Sequence, residues 1–379
     1  MNAVPDFDRV PNLAGGDSVK WNRYAGRDIL PLWVADMDFP APPPVLAALQ
    51  ARVAQGHFGY AEPRPALIGA VRDHLRRHYD WRIEDDWLVW LPGLVSGLNV
   101  ACRAVEGGVL TATPVYPPFL SAPRLSGRSL GSVPLRCEAG HWTWDFAALE
   151  AAIRPDSRLF LLCHPHNPVG RAWDDDELAA LAGFARRHDL IVCADEIHCG
   201  LILDTHRRHR PWATLGADAA RRSITLMAPS KTYNIPGLGC AFAVIPEAAL
   251  RRRFQRAMQG IVPHVNALGL AACEAAYREC DSWLAALLDY LRGNRARAQA
   301  AVATMPGLAM GRVEATYLAW IDARGLSRDD PAAFFEAAGV GLSDGTDFGL
   351  PGWLRLNFGC PRATLEAALA RMRTALSEA

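Results

Sequence analysis

Short apolar runs recur through the middle of the chain, and polar or turn-forming residues follow each of them. Three such runs cover residues 159–163, 191–195 and 223–227. Runs of this length without alternation are typical of parallel strands that are covered on both faces. The pattern therefore predicts three buried strands whose carboxyl ends carry polar groups.

Apolar residues at helical spacing occupy residues 66–78, 96–105 and 174–188. The last of these segments has acidic residues at its start and basic residues at its end, an order that suits the helix dipole. Strands and helices alternate over residues 87–245, which predicts a mostly parallel sheet with right-handed crossovers.

The pattern changes after residue 249. Residues 249–303 are predicted to be largely helical, with an interruption at 260–263. Residues 313–321 and 353–358 predict strands of a second, smaller sheet, and a final helix follows near the C-terminus.

Together these elements predict an α/β fold with two domains. Residues 46–260 form a large domain with a mostly parallel sheet covered by helices, and residues 261–379 form a smaller α+β domain. Residues 1–45 are rich in proline and predict an irregular arm that packs with the small domain.

Composition narrows the classes of partner. The chain has 379 residues, 50% of them hydrophobic, and 40 basic residues balance 40 acidic ones, which argues against nucleic acid or an anionic membrane. Its apolar runs fall far short of the roughly 20 residues that span a bilayer, and its start lacks the features of a signal peptide. Nine scattered cysteines are typical of reduced thiols in a cytoplasm.

Cys193 and Cys199 lie close to His198 in sequence, a proximity that could indicate a metal site. The chain has no Cys-x-x-Cys pair, and the run into Asp195 has the pattern of a strand core. We therefore predict no metal.

The candidate chemistry begins with Lys231, which follows the third apolar run. A lysine at the mouth of a buried strand loses hydration, which lowers the pKa of its ammonium. A partly neutral lysine can form a Schiff base with an aldehyde. Pyridoxal phosphate (PLP) is held in this way, with an acidic partner on its ring nitrogen, and Asp195 at the end of the second run is the candidate partner.

The ends of the three runs supply further polar groups. Asn167 follows the first run, Asp195 and His198 follow the second, and Ser230 and Lys231 follow the third. Because open α/β sheets bind ligands at the carboxyl ends of their strands, we expect these groups to meet in one site.

Five motifs in this order resemble fold-type I PLP enzymes of the class I/II aminotransferase group, and in finer detail the MalY/PatB type of cystathionine β-lyase. Any one of them alone would be weak, but together they extend over nearly the whole chain. They are Trp33-Val-Ala-Asp-Met-Asp-Phe-Pro40, His166-Asn-Pro-Val-Gly-Arg171, Asp195-Glu-Ile-His198, Ser230-Lys-Thr-Tyr-Asn-Ile-Pro-Gly237 and Arg355-Leu-Asn-Phe-Gly-Cys-Pro-Arg362.

The resemblance implies PLP as cofactor and gives roles around its ring. Lys231 would carry the Schiff base and act as general base, and Asp195 would pair with the ring nitrogen. Asn167 would donate to the ring oxygen and Tyr116 would stack on the ring. His198 would also bind the cofactor. It stands where aminotransferases usually have a tyrosine, and histidine at this position is a feature of the C–S lyase branch, so a purely structural buried histidine remains an alternative.

Phosphate binding needs backbone amides at a helix start, which the turn at residues 92–97 supplies. We expect the amides near Leu94 and Val95 to contribute, with the hydroxyl of Ser230. Tyr60 resembles the tyrosine that reaches the phosphate of the partner subunit, which implies a homodimer with a shared active site.

Substrate contacts come from the two ends of the chain. Arg355 lies in an apolar strand, where a guanidinium needs a partner, and a substrate α-carboxylate or a structural salt bridge could supply one. Trp33 begins a segment that could line the substrate entrance, although Asp36 and Asp38 in it could instead only cap turns. Asn167 is a further candidate contact for the substrate.

The branch resemblance favours β-elimination from a sulfur amino acid, which gives a thiol, pyruvate and ammonia. Transamination starts in the same way, so the catalytic residues alone leave an aminotransferase as an alternative. A regulatory protein that acts through partner binding is an alternative of another class. A nicotinamide-dependent enzyme is disfavoured, because no Gly-x-Gly-x-x-Gly turn follows the first strand.

Overall fold

The computed structural model describes residues 5–9, 13 and 15–378. Its helices are α1 Val19–Asn22, α2 Pro43–Ala54, α3 Pro65–Tyr79, α4 Leu94–Ala104, α5 Pro118–Leu125, α6 Phe146–Ala152, α7 Asp175–Arg187, α8 Ala217–Arg221, α9 Ala248–Met258, α10 Ala267–Glu279, α11 Asp281–Val302, α12 Pro331–Ala337 and α13 Arg362–Ser377. Its strands are β1 Leu30–Pro31, β2 Leu88–Leu91, β3 Gly108–Thr113, β4 Leu130–Pro134, β5 Arg136–Glu138, β6 His141–Thr143, β7 Ser157–Cys163, β8 Ile191–Asp195, β9 Ser223–Met227, β10 Ala241–Val244, β11 Ala309–Met310, β12 Leu318–Asp322, β13 Val340–Gly341, β14 Ser343–Asp344 and β15 Trp353–Asn357.

A seven-stranded sheet forms the centre of the fold, in the order β2-β10-β9-β8-β7-β3-β4. Strands β4, β3, β7, β8 and β9 run parallel, and β10 is antiparallel to both of its neighbours. The predicted α/β class with a mostly parallel sheet is thus confirmed. In the register, Asp195 lies opposite Cys163 on one side and Leu226 on the other, so the ends of three strands are level.

Strand β8 shows why the central runs are apolar without alternation. Val192 and Ala194 pack into a core that includes Phe184 of α7, whereas Cys193 faces a second core that includes Leu98 of α4. Successive side chains of a strand point to opposite faces, and here helices cover both faces.

The second sheet is smaller and antiparallel, in the order β11-β12-β15-β14. The strand predicted over residues 313–321 begins only at Leu318. The preceding residues bond elsewhere, since Glu314 and Ala315 both donate their N–H groups to the carbonyl of Gly170, and Thr316 has a left-handed φ of 73°. These residues brace the loop after β7 instead of extending the sheet.

The N-terminal segment differs from an entirely irregular arm. Helix α2 already begins at Pro43. A proline is well tolerated in the first turn of a helix, since the N–H that it lacks would have no partner there. Strand β1 pairs with β13, which follows α12 far along the chain. The division into an arm, a large domain and a small domain stays a prediction.

A buried ion pair anchors this segment. Lys20 is 1% exposed, and its Nζ lies 2.9 Å from Oδ2 of Asp38. Trp21 donates its indole N–H to the other carboxylate oxygen of Asp38 at 3.0 Å. Each charge needs the other, because removal of either partner would leave a buried charge without compensation.

No helix among the described residues is both long enough and apolar enough to cross a membrane.

We expect Lys20→Met to lower the free energy of unfolding by about 3–5 kcal/mol, because the carboxylate of Asp38 would remain buried without its cation. The double variant Lys20→Met/Asp38→Asn removes both charges and should lose much less. Urea unfolding of the two variants and the parent measures the difference. Equal losses in the single and double variants would show that the ion pair is not the anchor.

Candidate active site

The ends of β7, β8 and β9 bring polar side chains to one edge of the large sheet, as the sequence predicts. Asn167 and Asp195 are buried there, and Ser230 and Lys231 are half-buried. This edge is where open α/β sheets bind ligands.

Asp195 is a buried carboxylate without an ionic partner. It is 4% exposed, and its Oδ1 accepts the N–H of Ile197 at 3.1 Å. Among the described residues no basic nitrogen lies within 4.0 Å of it. Burial raises the pKa of Asp195 to about 7, although the charge of Lys231 opposes this shift. A cationic ligand group at this point would stabilise the ionised form.

Lys231 provides an amine that is easily deprotonated. Burial lowers the pKa of its ammonium to about 8, and Arg355 acts in the same direction, whereas Asp36 and Asp195 oppose the shift. Its Nζ donates to the carbonyl of Ala35. The sequence has two lysines and 38 arginines, and the other lysine, Lys20, is held in its ion pair with Asp38. Lys231 is therefore the side-chain amine available for a Schiff base.

Arg355 is a buried cation that forms no ion pair with a described residue. It donates to Oδ1 of Asn167 at 3.0 Å and to the carbonyl of Trp33 at 2.7 Å, and its guanidinium stacks over the ring of Phe348. Within the described ranges no carboxylate lies within 4.0 Å, and its Nε has no hydrogen-bond partner. Burial lowers its pKa to about 10. The alternative of a structural salt bridge is therefore not what these residues form.

His198 faces the same charged groups. It is buried, and its Nδ1 has no partner in the part of the chain that the structure describes. The pKa of His198 is lowered to about 3, mainly by burial and also by the charges of Lys231 and Arg355. The imidazole is thus neutral, with a nitrogen free to bond a ligand.

Tyr116 is placed by the backbone beside Asn167, because its N–H donates to the carbonyl of Asn167 at 3.1 Å. Burial raises the pKa of its hydroxyl, and the charge of Asp195 adds to this effect. A neutral half-buried ring at this position suits stacking on a flat ligand.

Helix α4 points its start at the same edge. Gly93 is its N-cap, and Leu94 and Val95 are its first two residues. The first amides of a helix have no carbonyl of their own helix to bond, so they suit an anion such as a phosphate.

Two predicted residues do not join the site within one chain. Tyr60 is fully exposed. Trp33 donates its indole N–H to the carbonyl of Lys20 and packs under Arg23, so only its main-chain carbonyl reaches Arg355. Direct contact of the Trp33 ring with a substrate, and of Tyr60 with a phosphate, stay predictions.

The sequence did not reveal how closely the 33–39 segment belongs to the site. Tyr317 donates its hydroxyl to the carbonyl of Ala35 at 2.8 Å, and Asn357 donates to the carbonyls on either side of that residue at 2.6 Å each. Asn234 binds the other end of the segment through three hydrogen bonds. Both asparagines lie inside motifs quoted from the sequence, and these motifs were the available signal for the contacts.

Asp36 contributes to the electrostatics of the site, in addition to the turn-capping role that the sequence left open. Its carboxyl lies 3.7 Å from Nζ of Lys20, and its charge raises the pKa of Lys231. Burial raises the pKa of Asp36 itself. The carboxyl is therefore part of the charge balance around the amine.

Comparison with known proteins agrees with this geometry. A family model described as aminotransferase class I and II matches residues 27–372. Cystathionine beta-lyase PatB of Bacillus subtilis is 37% identical, covering 98% of this chain and 100% of its own, and Protein MalY of Escherichia coli is 32% identical, covering 98% of each.

Solved structures give the same picture. The crystal structure of OvoB superposes with a TM-score of 0.96 at 48% identity, covering all of both chains. Cystalysin from Treponema denticola, which contains pyridoxal 5'-phosphate, superposes with a TM-score of 0.95 at 30% identity, covering 99% of each.

The raised pKa of Asp195 makes a prediction about stability. A carboxyl whose pKa is higher in the folded than in the unfolded state destabilises the fold increasingly as pH rises between the two values, here from 3.8 to about 7. We therefore expect cofactor-free Asp195→Asn to be more stable than its parent, with a gain about 2–3 kcal/mol larger at pH 8 than at pH 5. Urea unfolding at both pH values checks this. A gain independent of pH would mean that Asp195 is not held near neutrality.

Proposed function

Because the chain belongs to the class I and II aminotransferase family, we propose that it is a PLP-dependent carbon–sulfur lyase. It would release a thiol from the β-carbon of an amino acid, with pyruvate and ammonia as the other products. The observation that carries this proposal is the convergence at one edge of the sheet of Lys231, Asp195 and Arg355, three ionisable side chains that form no ion pair with any described residue.

Each polar group of PLP has a matching residue or helix start in the structure. The start of α4 and Ser230 would hold the phosphate, and Lys231 would bind the aldehyde. The unpaired carboxylate of Asp195 would hold the protonated ring nitrogen, and Asn167 would bond the ring oxygen. When bound, PLP withdraws electrons from the substrate α-carbon.

Arg355 would bind and orient the substrate. Its free Nε and its lack of an anion suit bidentate binding of an α-carboxylate. Since Asn167 and the carbonyl of Trp33 fix the guanidinium, the carboxylate would be held in one orientation. This orientation would present the α-proton towards Lys231.

Lys231 would move the proton. The substrate amine would first replace Lys231 at the aldehyde, which frees Nζ. With a pKa near 8, a useful fraction of the freed amine would be neutral at physiological pH and could take the α-proton. The C–S bond at the β-carbon then breaks, and the sulfur leaves with the bonding electron pair and takes up a proton. The released enamine would hydrolyse to pyruvate and ammonia.

The relatives favour elimination over transamination. Two matching proteins named cystathionine beta-lyase each cover 98% of this chain, at 37% and 30% identity. A probable N-succinyldiaminopimelate aminotransferase of Mycobacterium tuberculosis is 32% identical but covers only 79% of the chain. The aminotransferase alternative therefore has weaker support.

We also propose a homodimer with a shared site in a reducing compartment such as the cytoplasm. Tyr60 is fully exposed and the ring of Phe58 is 59% exposed, and a partner subunit would cover such aromatic side chains. All nine cysteines are free thiols, which suits a reducing compartment.

We expect the PLP-loaded protein to convert L-cystathionine to equal amounts of pyruvate and free thiol without an added 2-oxo acid. Lys231→Ala is the matched control and should show neither product. Borohydride reduction of the parent should fix the cofactor on the peptide that contains Lys231, one of only two lysines. Turnover that requires a 2-oxo acid would identify an aminotransferase instead.

We expect Arg355→Gln to raise KM for the sulfur amino acid by about 100-fold with a smaller effect on kcat, because a charge-assisted carboxylate contact is lost. Ser343→Ala is the control, since Ser343 touches the same guanidinium at 3.3 Å without contributing charge. Initial rates over a range of substrate concentration measure both constants. An unchanged KM would remove Arg355 from substrate binding.

A further inference from the structure

A cluster of three potential metal ligands lies on a different part of the molecule. His74 and His78 are four residues apart on α3, and Asp281 is the first residue of α11. One ligand atom from each lies within 4.8 Å of the other two. Over the described ranges this is the one group of three such side chains with that geometry.

The first of these ligands, His74, is almost completely buried. It is 5% exposed, and its Nδ1 has no hydrogen-bond partner among the described residues. Its ring lies between those of His78 and Tyr277, with centroids 4.3 and 4.4 Å away. A ligand at this point would therefore meet a ring nitrogen that no described residue bonds.

The other two ligands already approach each other. Nε2 of His78 lies 3.2 Å from Oδ1 of Asp281. The second carboxylate oxygen, Oδ2, is paired with Arg77. Oδ1 is thus directed towards the histidines, whereas the charge of Arg77 opposes the approach of a cation.

Two histidines one helical turn apart form one face that can bind a single ion, and a carboxylate completes a mixed nitrogen and oxygen set. Such a set suits zinc and similar divalent transition metals better than calcium or magnesium, which prefer oxygen alone. We propose that His74, His78 and Asp281 form a binding site for Zn²⁺ that links α3 to the start of α11. A fourth position would remain for water.

This site is separate from the predicted catalytic groups and does not depend on the proposed function. Because the ion would join two helices, its binding should raise the melting temperature. Arg77 beside the carboxylate predicts affinity weaker than that of a closed structural site.

The test is titration of the tag-free, PLP-loaded protein with ZnCl₂ by calorimetry, in a Cys137→Ser background. Cys137 is the exposed thiol of the nine and would otherwise compete for zinc. We expect one saturable site per chain and a rise in melting temperature with zinc. His78→Ala, at a partly exposed position, should weaken binding by at least about 10-fold and abolish the rise.

His57→Ala is the matched control, since His57 is exposed and outside the cluster. It should bind zinc as the Cys137→Ser background does. Asp281→Asn should weaken binding as His78→Ala does. Absence of saturable binding, or undiminished affinity in either His78→Ala or Asp281→Asn, would overturn the proposal.

Discussion

The structure depends on hydrogen-bond partners for the backbone of one buried, irregular segment. Residues 33–39 form neither helix nor strand, so their carbonyl groups need partners from elsewhere in the chain. Arg355, Tyr317 and Asn357 supply them from the side of the small sheet, and Lys231 and Asn234 supply them from the side of the large sheet. The segment thereby joins both sheets where the candidate site lies. Two of the donors that hold it, Arg355 and Lys231, are groups that the proposed chemistry uses.

The site also retains charges that the fold itself does not neutralise. The pKa of Asp195 is raised to about 7, that of Lys231 is lowered to about 8 and that of Arg355 is lowered to about 10, each mainly by burial. Ordinary cores pair such groups or exclude them. Functional sites accept the loss of stability because a ligand with complementary charges recovers it on binding.

Local patterns in the sequence were sufficient for three central strands of the large sheet and for the residues at their ends. β9 has the bounds predicted from its apolar run, and Asn167, Asp195 and Lys231 lie at the predicted edge. Contacts over long separations were not predictable, since Lys231 meets Ala35 across 196 positions and Arg355 meets Trp33 across 322. Strand β12 begins later than predicted for the same reason, because the residues before it bond to the loop after β7.

The near absence of lysine has a consequence for handling the protein. Positive charge is carried by 38 arginines, whose guanidinium groups stay protonated and do not act as nucleophiles towards activated esters. Of the two lysines, one is enclosed in an ion pair and the other lies in the candidate site. Amine-directed dyes, cross-linkers and resins would therefore find no surface lysine, and a reagent small enough to enter would mark the active centre.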